Sequence, residues 1–434
     1  MARKKILIVS YYWYPFADVG TYRISRFAKY LAKSGWDIVV LTSKKAAAGM
    51  KGEPDDPVLE NIKVYRANII EPVSLLKGKK GGSAKTSNPS IFYQKDAGLI
   101  SRLAVWARLN LMIPDAKFTW KWFAVPLGKK VIEQEKPDVI LSTSPPPTTS
   151  LIARKLAEWS GLPWHADFRD PWTNIYYYDD NPPSAWAQKR NKKLEASVLK
   201  KADRLTVVNH GFFPSYHLED KLTKIPNGFD PDHVLNKKEV PQKNDSVFHI
   251  RYFGSMKVNQ YPKAFIKALQ TLSDERPGIA ENIHFDFYGN IDPDIKEDIK
   301  SASDIIETSF TRYIPHDEMM KKVNSSDLLL LLIGRTKNSK FGLSTKVFEY
   351  MTSGKPVLGI GPVDGAAAEL VADTNIGKFF SHEDHKGVIN FILQTYEAKQ
   401  KGETLFEPSE KAIQQYNFSY LTNKLENILD ELIA

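Results

Sequence analysis

Short apolar runs alternate with amphipathic stretches along most of the chain. KKILIVSYY, at residues 4–12, is nearly continuous in apolar side chains over strand length, the pattern of a strand buried on both faces. YRISRFAKYLAKSG follows, with Ile24, Phe27 and Leu31 at helical spacing and Gly35 as the stop. WDIVVLTS at 36–43 is the next strand, which makes a βαβ unit. The same order returns with strands at PDVILSTS, PWHADF and ADRLTVVN and a helix ending at Gly161. Residues 44–125 break the pattern and read as irregular, with a Gly/Ser/Lys loop at 77–88. A polar stretch at 236–246 reads as a linker. A second series then begins: HIRYFGSMK, the helix PKAFIKALQTL, the strand IHFDFYGN, the helix DEMMKKVNSSD and the strand DLLLLLIG. The pattern predicts an α/β protein of two doubly wound, Rossmann-like domains with a ligand cleft between them, residues 1–235 and 236–412, and a closing amphipathic helix within 413–434.

Candidate chemistry gathers where strands run into helices. The richest stretch is LSTKVFEYMTSGKPVL, residues 343–358. Ser344 and Thr345 are candidate caps of a helix that Gly354 and Pro356 end. Lys346 and Glu349 stand one turn apart on it. A lysine beside free N–H groups at a helix start suits a phosphate, and a carboxylate one turn on suits ribose hydroxyls. The loop after it, GPVDGAAAEL, places Asp364 and Gly365 ahead of another helix. Three further loops follow strands: Gly20 in YYWYPFADVGTYR, Arg169 and Asp170 in FRDPW, and Gly254 and Ser255 in FGSMK. No GxGxxG fingerprint or GKS/T phosphate loop occurs. There is no HxxxH or HxH spacing either, and no metal site is expected.

Composition narrows the setting. The 434 residues suffice for two full cores, and the absence of cysteine excludes disulfides, thiolate metal sites and a cysteine nucleophile. No apolar window approaches the roughly 18 residues of a membrane span. Residues 1–235 carry 36 Lys and Arg against 23 Asp and Glu, a net +13, whereas 236–434 carry 24 against 28, a net −4. The basic half would favour an anionic membrane surface or acceptor. Trp106, Trp120 and Trp122 lie among its basic residues and either pack inside this half or meet a bilayer interface. No nucleic-acid-binding module is recognisable.

Taken in order, the Gly20 loop, SPPPTTS, FRDPW, IPNGFD, FGSM and STKVFEYMTSGKPVL resemble the retaining nucleotide-sugar glycosyltransferases of family four, in the branch that builds bacterial surface polysaccharides. That resemblance implies the GT-B fold, with a final helix that crosses back to the first domain. It implies a nucleoside-diphosphate sugar donor, UDP or GDP, held in the second domain and no separate cofactor or metal. Glu349 would take the ribose, and Lys346 with the Gly254–Ser255 loop the diphosphate. Arg169 and Asp170 would stand beside the donor sugar and act in catalysis with Lys346; Gly20, Asp364 and Gly365 would help bind the donor, and the first domain would bind a lipid-linked or glycan acceptor on the cytoplasmic side of a membrane. Two positions depart from the family pattern. Phe341 replaces the first of two glutamates spaced by seven residues, and Ser255 replaces an arginine, with Lys257 nearby. A sugar-nucleotide 2-epimerase of the same fold and a non-catalytic nucleotide- or glycan-binding scaffold are the alternatives. The first lacks a convincing acid–base pair.

Overall fold

A computed structural model of the chain describes residues 3–434 except 18, 45–49, 52–53, 71–98, 176–177, 179–180, 235–245 and 313. The loop expected at 77–88 and nearly all of the linker at 236–246 lie outside the described residues. Two compact units form, one from Met1–Asn227 with Phe418–Ala434, the other from Gly228–Asn417.

The first unit is built on strands β1 (Lys5–Ser10), β2 (Asp37–Ser43), β3 (Lys63–Ala67), β4 (Val139–Ser144), β5 (Trp164–Phe168), β6 (Arg204–Val207) and β7 (Leu222–Lys224). They pair in the order β3-β2-β1-β4-β5-β6-β7, all parallel. The helices are α1 (Val19–Lys33), α2 (Leu99–Asn110), α3 (Trp120–Glu135), α4 (Pro147–Ser160) and α5 (Ala185–Lys201). Alternation along each strand separates two cores. Leu7, Val9, Val39 and Leu41 face α3, α4 and α5, while Ile6, Ile8, Ile38 and Val40 face α1. Both faces are covered, which is why these strands read as continuous apolar runs.

The described part of 44–125 is not irregular: β3, α2 and the start of α3 lie in it. Pro126 and Gly128 inside WKWFAVPLG read as breakers, yet both are helical. Gly128 is held by packing, since a Cβ there would fall 2.7 Å from a Leu156 methyl and 3.0 Å from one of Leu41. Close helix–sheet contact outweighs the propensity cost of about 1 kcal/mol.

The second unit contains β8 (Phe248–Phe253), β9 (Ile283–Tyr288), β10 (Glu307–Thr311), β11 (Leu328–Leu332), β12 (Val357–Ile360) and β13 (Gly377–Phe380), in the order β10-β9-β8-β11-β12-β13. All the pairs are parallel. Helices α6 (Lys263–Glu275), α7 (Pro293–Ser301) and α11 (His385–Lys401) pack on one face. Helices α8 (His316–Asn324), α9 (Lys346–Ser353) and α10 (Ala366–Asp373) cover the other. The last helix, α12 (Phe418–Ile433), belongs to the first unit, where Phe418, Leu421, Leu425 and Leu429 are buried against α1.

In each sheet the strand order reverses beside a central strand: β1 between β2 and β4, and β8 between β9 and β11. The loops at the carboxyl ends of these strands are where doubly wound folds hold ligands.

Candidate active site

In the second unit, Gly254 follows β8 with φ +128°, a conformation that side-chain-bearing residues rarely adopt. The space a Cβ would need is already taken: it would fall 1.9 Å from Lys346 Nζ and 2.1 Å from Cε. The lysine therefore lies across the glycine, with Nζ 5.0 Å from the centre of the Tyr252 ring. Tyr252 is fixed in turn, its hydroxyl donating to Ser255 O at 2.7 Å. Gly254 N–H donates to Tyr288 O at 2.7 Å. Ser255 itself is exposed.

No carboxylate among the described residues pairs with Lys346. Burial lowers its pKa to about 8, with Glu349 opposing the fall. Glu349 lies one turn on and meets His316 from α8, Oε1 to Nε2, at 3.1 Å. Buried Tyr350 anchors the helix: its hydroxyl accepts from Phe253 N–H at 3.3 Å. The structure brings Gly254, Ser255, Lys346 and Glu349 together, with Tyr252, His316 and Tyr350 around them.

Two expected features of this helix take a different form. Thr345 occupies the cap position but makes no side-chain capping bond. The N–H groups of Val347 and Phe348 turn back to Ser344 O and Thr345 O, both at 3.2 Å. The first turn thus offers fewer free donors than an open helix start, and the ammonium group carries more of the positive potential. Lys257, which stands near the position of the missing arginine, is paired with Asp292 at 2.9 Å. Asp364 and Gly365 meet a different partner. Asp364 forms an exposed ion pair with Lys340, which also lowers its pKa, and Gly365 packs on the Lys340 backbone. Phe341 follows in the same turn and is partly exposed. Among the described residues no group of three His, Cys, Asp or Glu side chains is placed to hold a metal ion.

In the first unit, Arg169 leaves β5 and donates to Pro145 O at 2.8 Å, while its N–H donates to Ser144 O at 2.9 Å. Its guanidinium is 5.9 Å from the Tyr12 ring centre. Burial lowers its pKa, and Nε is buried without an acceptor. Gly20 lies in the first turn of α1 beneath this pair. A Cβ there would fall 2.6 Å from the Tyr12 ring and 3.1 Å from an Arg169 nitrogen. Asp170 forms no ion pair with Arg169 or any other described residue. Close packing raises its carboxyl, opposed in part by Arg169, while its own surface stays open to solvent.

Below these loops sits a buried network that sequence spacing does not reveal. Arg23 of α1 and Asp167 of β5 pair at 2.8 Å. Asp167 also accepts from Thr143 and Thr206, each at 2.8 Å. Burial alone would raise the Asp167 carboxyl, but Arg23 and the two hydroxyls hold it below the usual range. Arg23 reaches Ile225 O and Pro226 O at 2.8 and 2.6 Å and so ties down the IPNG turn. His165 alongside is kept neutral, its pKa lowered by burial to about 4.

Residues 20–212 match the family model of the glycosyl transferase 4-like domain. Solved structures extend the likeness to the whole chain. Sucrose-phosphate synthase from Thermosynechococcus elongatus superposes with a TM-score of 0.63 at 15% identity, over 99% of both chains. A glycosyltransferase from Rickettsia africae gives 0.61 at 14%, over 100% of this chain and 99% of that one. HepE from Anabaena, solved in complex with UDP and glucose, gives 0.61 at 14%, over 99% of this chain and 100% of that one. At such identities the superpositions establish the fold alone, and this chain has the GT-B fold of two Rossmann-like domains. Among curated proteins none matches the sequence.

Proposed function

We propose that the chain is a retaining glycosyltransferase that uses a nucleoside-diphosphate sugar. The observation that carries this reading is the Lys346 ammonium, paired with no carboxylate among the described residues and laid across Gly254 at the carboxyl end of the central strand. A diphosphate would accept hydrogen bonds from Lys346 Nζ and the Ser255 hydroxyl. Glu349 would accept from the ribose hydroxyls, its carboxylate kept in place by His316. The UDP and glucose bound to HepE support a uridine nucleotide as the first donor to test.

As the bond from sugar to diphosphate breaks, charge grows on the leaving phosphate. A fixed ammonium stabilises that charge without reorganising. This makes a metal unnecessary in the proposed scheme. The acceptor, a lipid-linked or glycan hydroxyl of bacterial surface polysaccharide assembly, would bind the first unit at the cytoplasmic face of a membrane. Arg169 and Asp170 would orient it, the Asp170 carboxylate receiving a hydroxyl hydrogen bond. Asp364 and Gly365 would line the sugar side of the donor.

The test is calorimetric titration with UDP, GDP, ADP and dTDP without metal, on the wild type and on Glu349→Ala. Selective binding of one diphosphate, weakened by the substitution, supports the reading. Binding of none removes the donor site.

A further inference from the structure

Helices α3, α4 and α5 cover one face of the first sheet, and their outward side is both basic and aromatic. Trp122, Trp159 and Trp186, one from each helix, are 57%, 42% and 59% exposed. Trp120, by contrast, is fully buried in the core, edge-on to Tyr11 at 5.3 Å. The three helices together carry eleven lysines and arginines against four glutamates. Two of those glutamates do not face outward charge. Glu195 is buried, and Glu135 is taken up by Lys63 and Tyr65 at 3.0 and 2.6 Å.

The cations and indoles belong to one surface. Lys129 Nζ of α3 lies 4.8 Å over the Trp159 ring of α4, and Arg190 lies 5.7 Å from the Trp186 ring on α5. Arg154 of α4 bonds to Ser197 of α5. Lys121 of α3 is lowered by burial and then by repulsion from Lys155, Arg154 and Arg190, so charges from all three helices converge there. Helix α2 joins the edge: Ser184 N–H, at the cap of α5, donates to Asn110 at 2.7 Å. On the same helix end, Trp106 and Leu111, one turn before and one residue after Asn110, are 52% and 64% exposed.

Indoles settle at the headgroup level of a bilayer, where the ring is shielded and the N–H stays wet. Lysines and arginines around them add attraction to anionic lipid. Charge alone would leave the tryptophans unexplained, and apolar contact alone would leave the cations so. We propose that this face docks the protein on an anionic lipid bilayer, with the tryptophans at headgroup depth and the cations against the phosphates. This deepens the membrane part of the reading above by naming the surface. It requires no nucleotide, so failure of the UDP titration and failure of docking are separate results.

The test is flotation of the full chain with vesicles of phosphatidylcholine alone or with one quarter phosphatidylglycerol, at physiological salt. The wild type should float with the anionic vesicles only. Reversing Lys189, Arg190 and Lys193 to glutamate should weaken binding by more than about a hundredfold, since each cation near such a surface is worth about fivefold. Trp122→Ser with Trp186→Ser should weaken it by about tenfold or more and reduce quenching of tryptophan fluorescence by brominated lipid, Trp159 remaining on the face. Circular dichroism of each variant should match the wild type. Absence of the wild type from anionic vesicles overturns the proposal. So does binding that survives the tryptophan substitutions and is matched on dextran sulfate, which would mark a surface for soluble polyanions.

Discussion

Replacing Lys346 by methionine should stabilise the protein and cripple donor binding, two effects that an ordinary surface lysine would not couple. The ammonium is held where burial lowers its pKa from the ordinary 10.5 to about 8. At about 1.4 kcal/mol per unit, that displacement corresponds to about 3 kcal/mol as an upper bound. Lys346 keeps some contact with water, so about 1–2 kcal/mol is the expected gain. Methionine retains an unbranched stem beside Gly254 and the Tyr252 ring. The sign with pH follows. Below pH 8 both folded and unfolded wild type carry the charge, and the burial cost is present in full. Between pH 8 and 10.5 only the unfolded chain keeps the proton, so wild-type stability rises relative to the variant. Urea unfolding at pH 7 and at pH 10 should show the variant's advantage shrinking. Donor binding should move the other way. Loss of a hydrogen bond to a charged group costs about 1.5–3 kcal/mol, or roughly 10- to 150-fold in the Kd for UDP. Wild-type affinity should fall above pH 8, approaching tenfold per unit, as binding comes to require proton uptake. The variant should be flat over that range. A variant that is no more stable and binds UDP as tightly as the wild type would refute the reasoning.

Other substitutions test other parts. Gly254→Ala brings a methyl group onto Lys346 at a φ of +128°, which should cost about 1–3 kcal/mol in thermal unfolding and displace the lysine, with UDP affinity lost in parallel. Asp167→Asn leaves Arg23 buried without its counter-charge and should lower stability by about 3–5 kcal/mol in denaturant titration. Intact stability would show that the IPNG turn does not depend on this pair. Asp170→Asn should leave UDP affinity unchanged while transfer falls by roughly a hundredfold or more; a parallel loss of UDP binding would contradict its acceptor role. Truncation after Asn417 strips Phe418, Leu421, Leu425 and Leu429 from the first unit, each worth about 1.5–3 kcal/mol. The shortened chain should be insoluble or molten by near-ultraviolet dichroism.

Sequence by itself determined the alternation of parallel strands and helices, because strands covered on both faces must be apolar over their buried length, as ILIV and LLLLL are. It also determined that Lys346 and Glu349 share a helix face, since one turn of separation leaves no other choice. It misplaced α2 and the start of α3, where Pro126 and Gly128 look like breakers until Leu156 and Leu41 are seen pressing on the glycine. Only the tertiary structure laid Lys346 across Gly254, 92 residues away in the chain. That contact turns an exposed-looking lysine into one with a lowered pKa, because desolvation depends on what surrounds a group and not on its neighbours in sequence. The same holds for Arg23 and Asp167, residues of one loop–helix and one strand that register alone brings together. It holds as well for the tryptophans. Trp120 and Trp122 stand two residues apart, and helical geometry sends one into the core and the other to the surface.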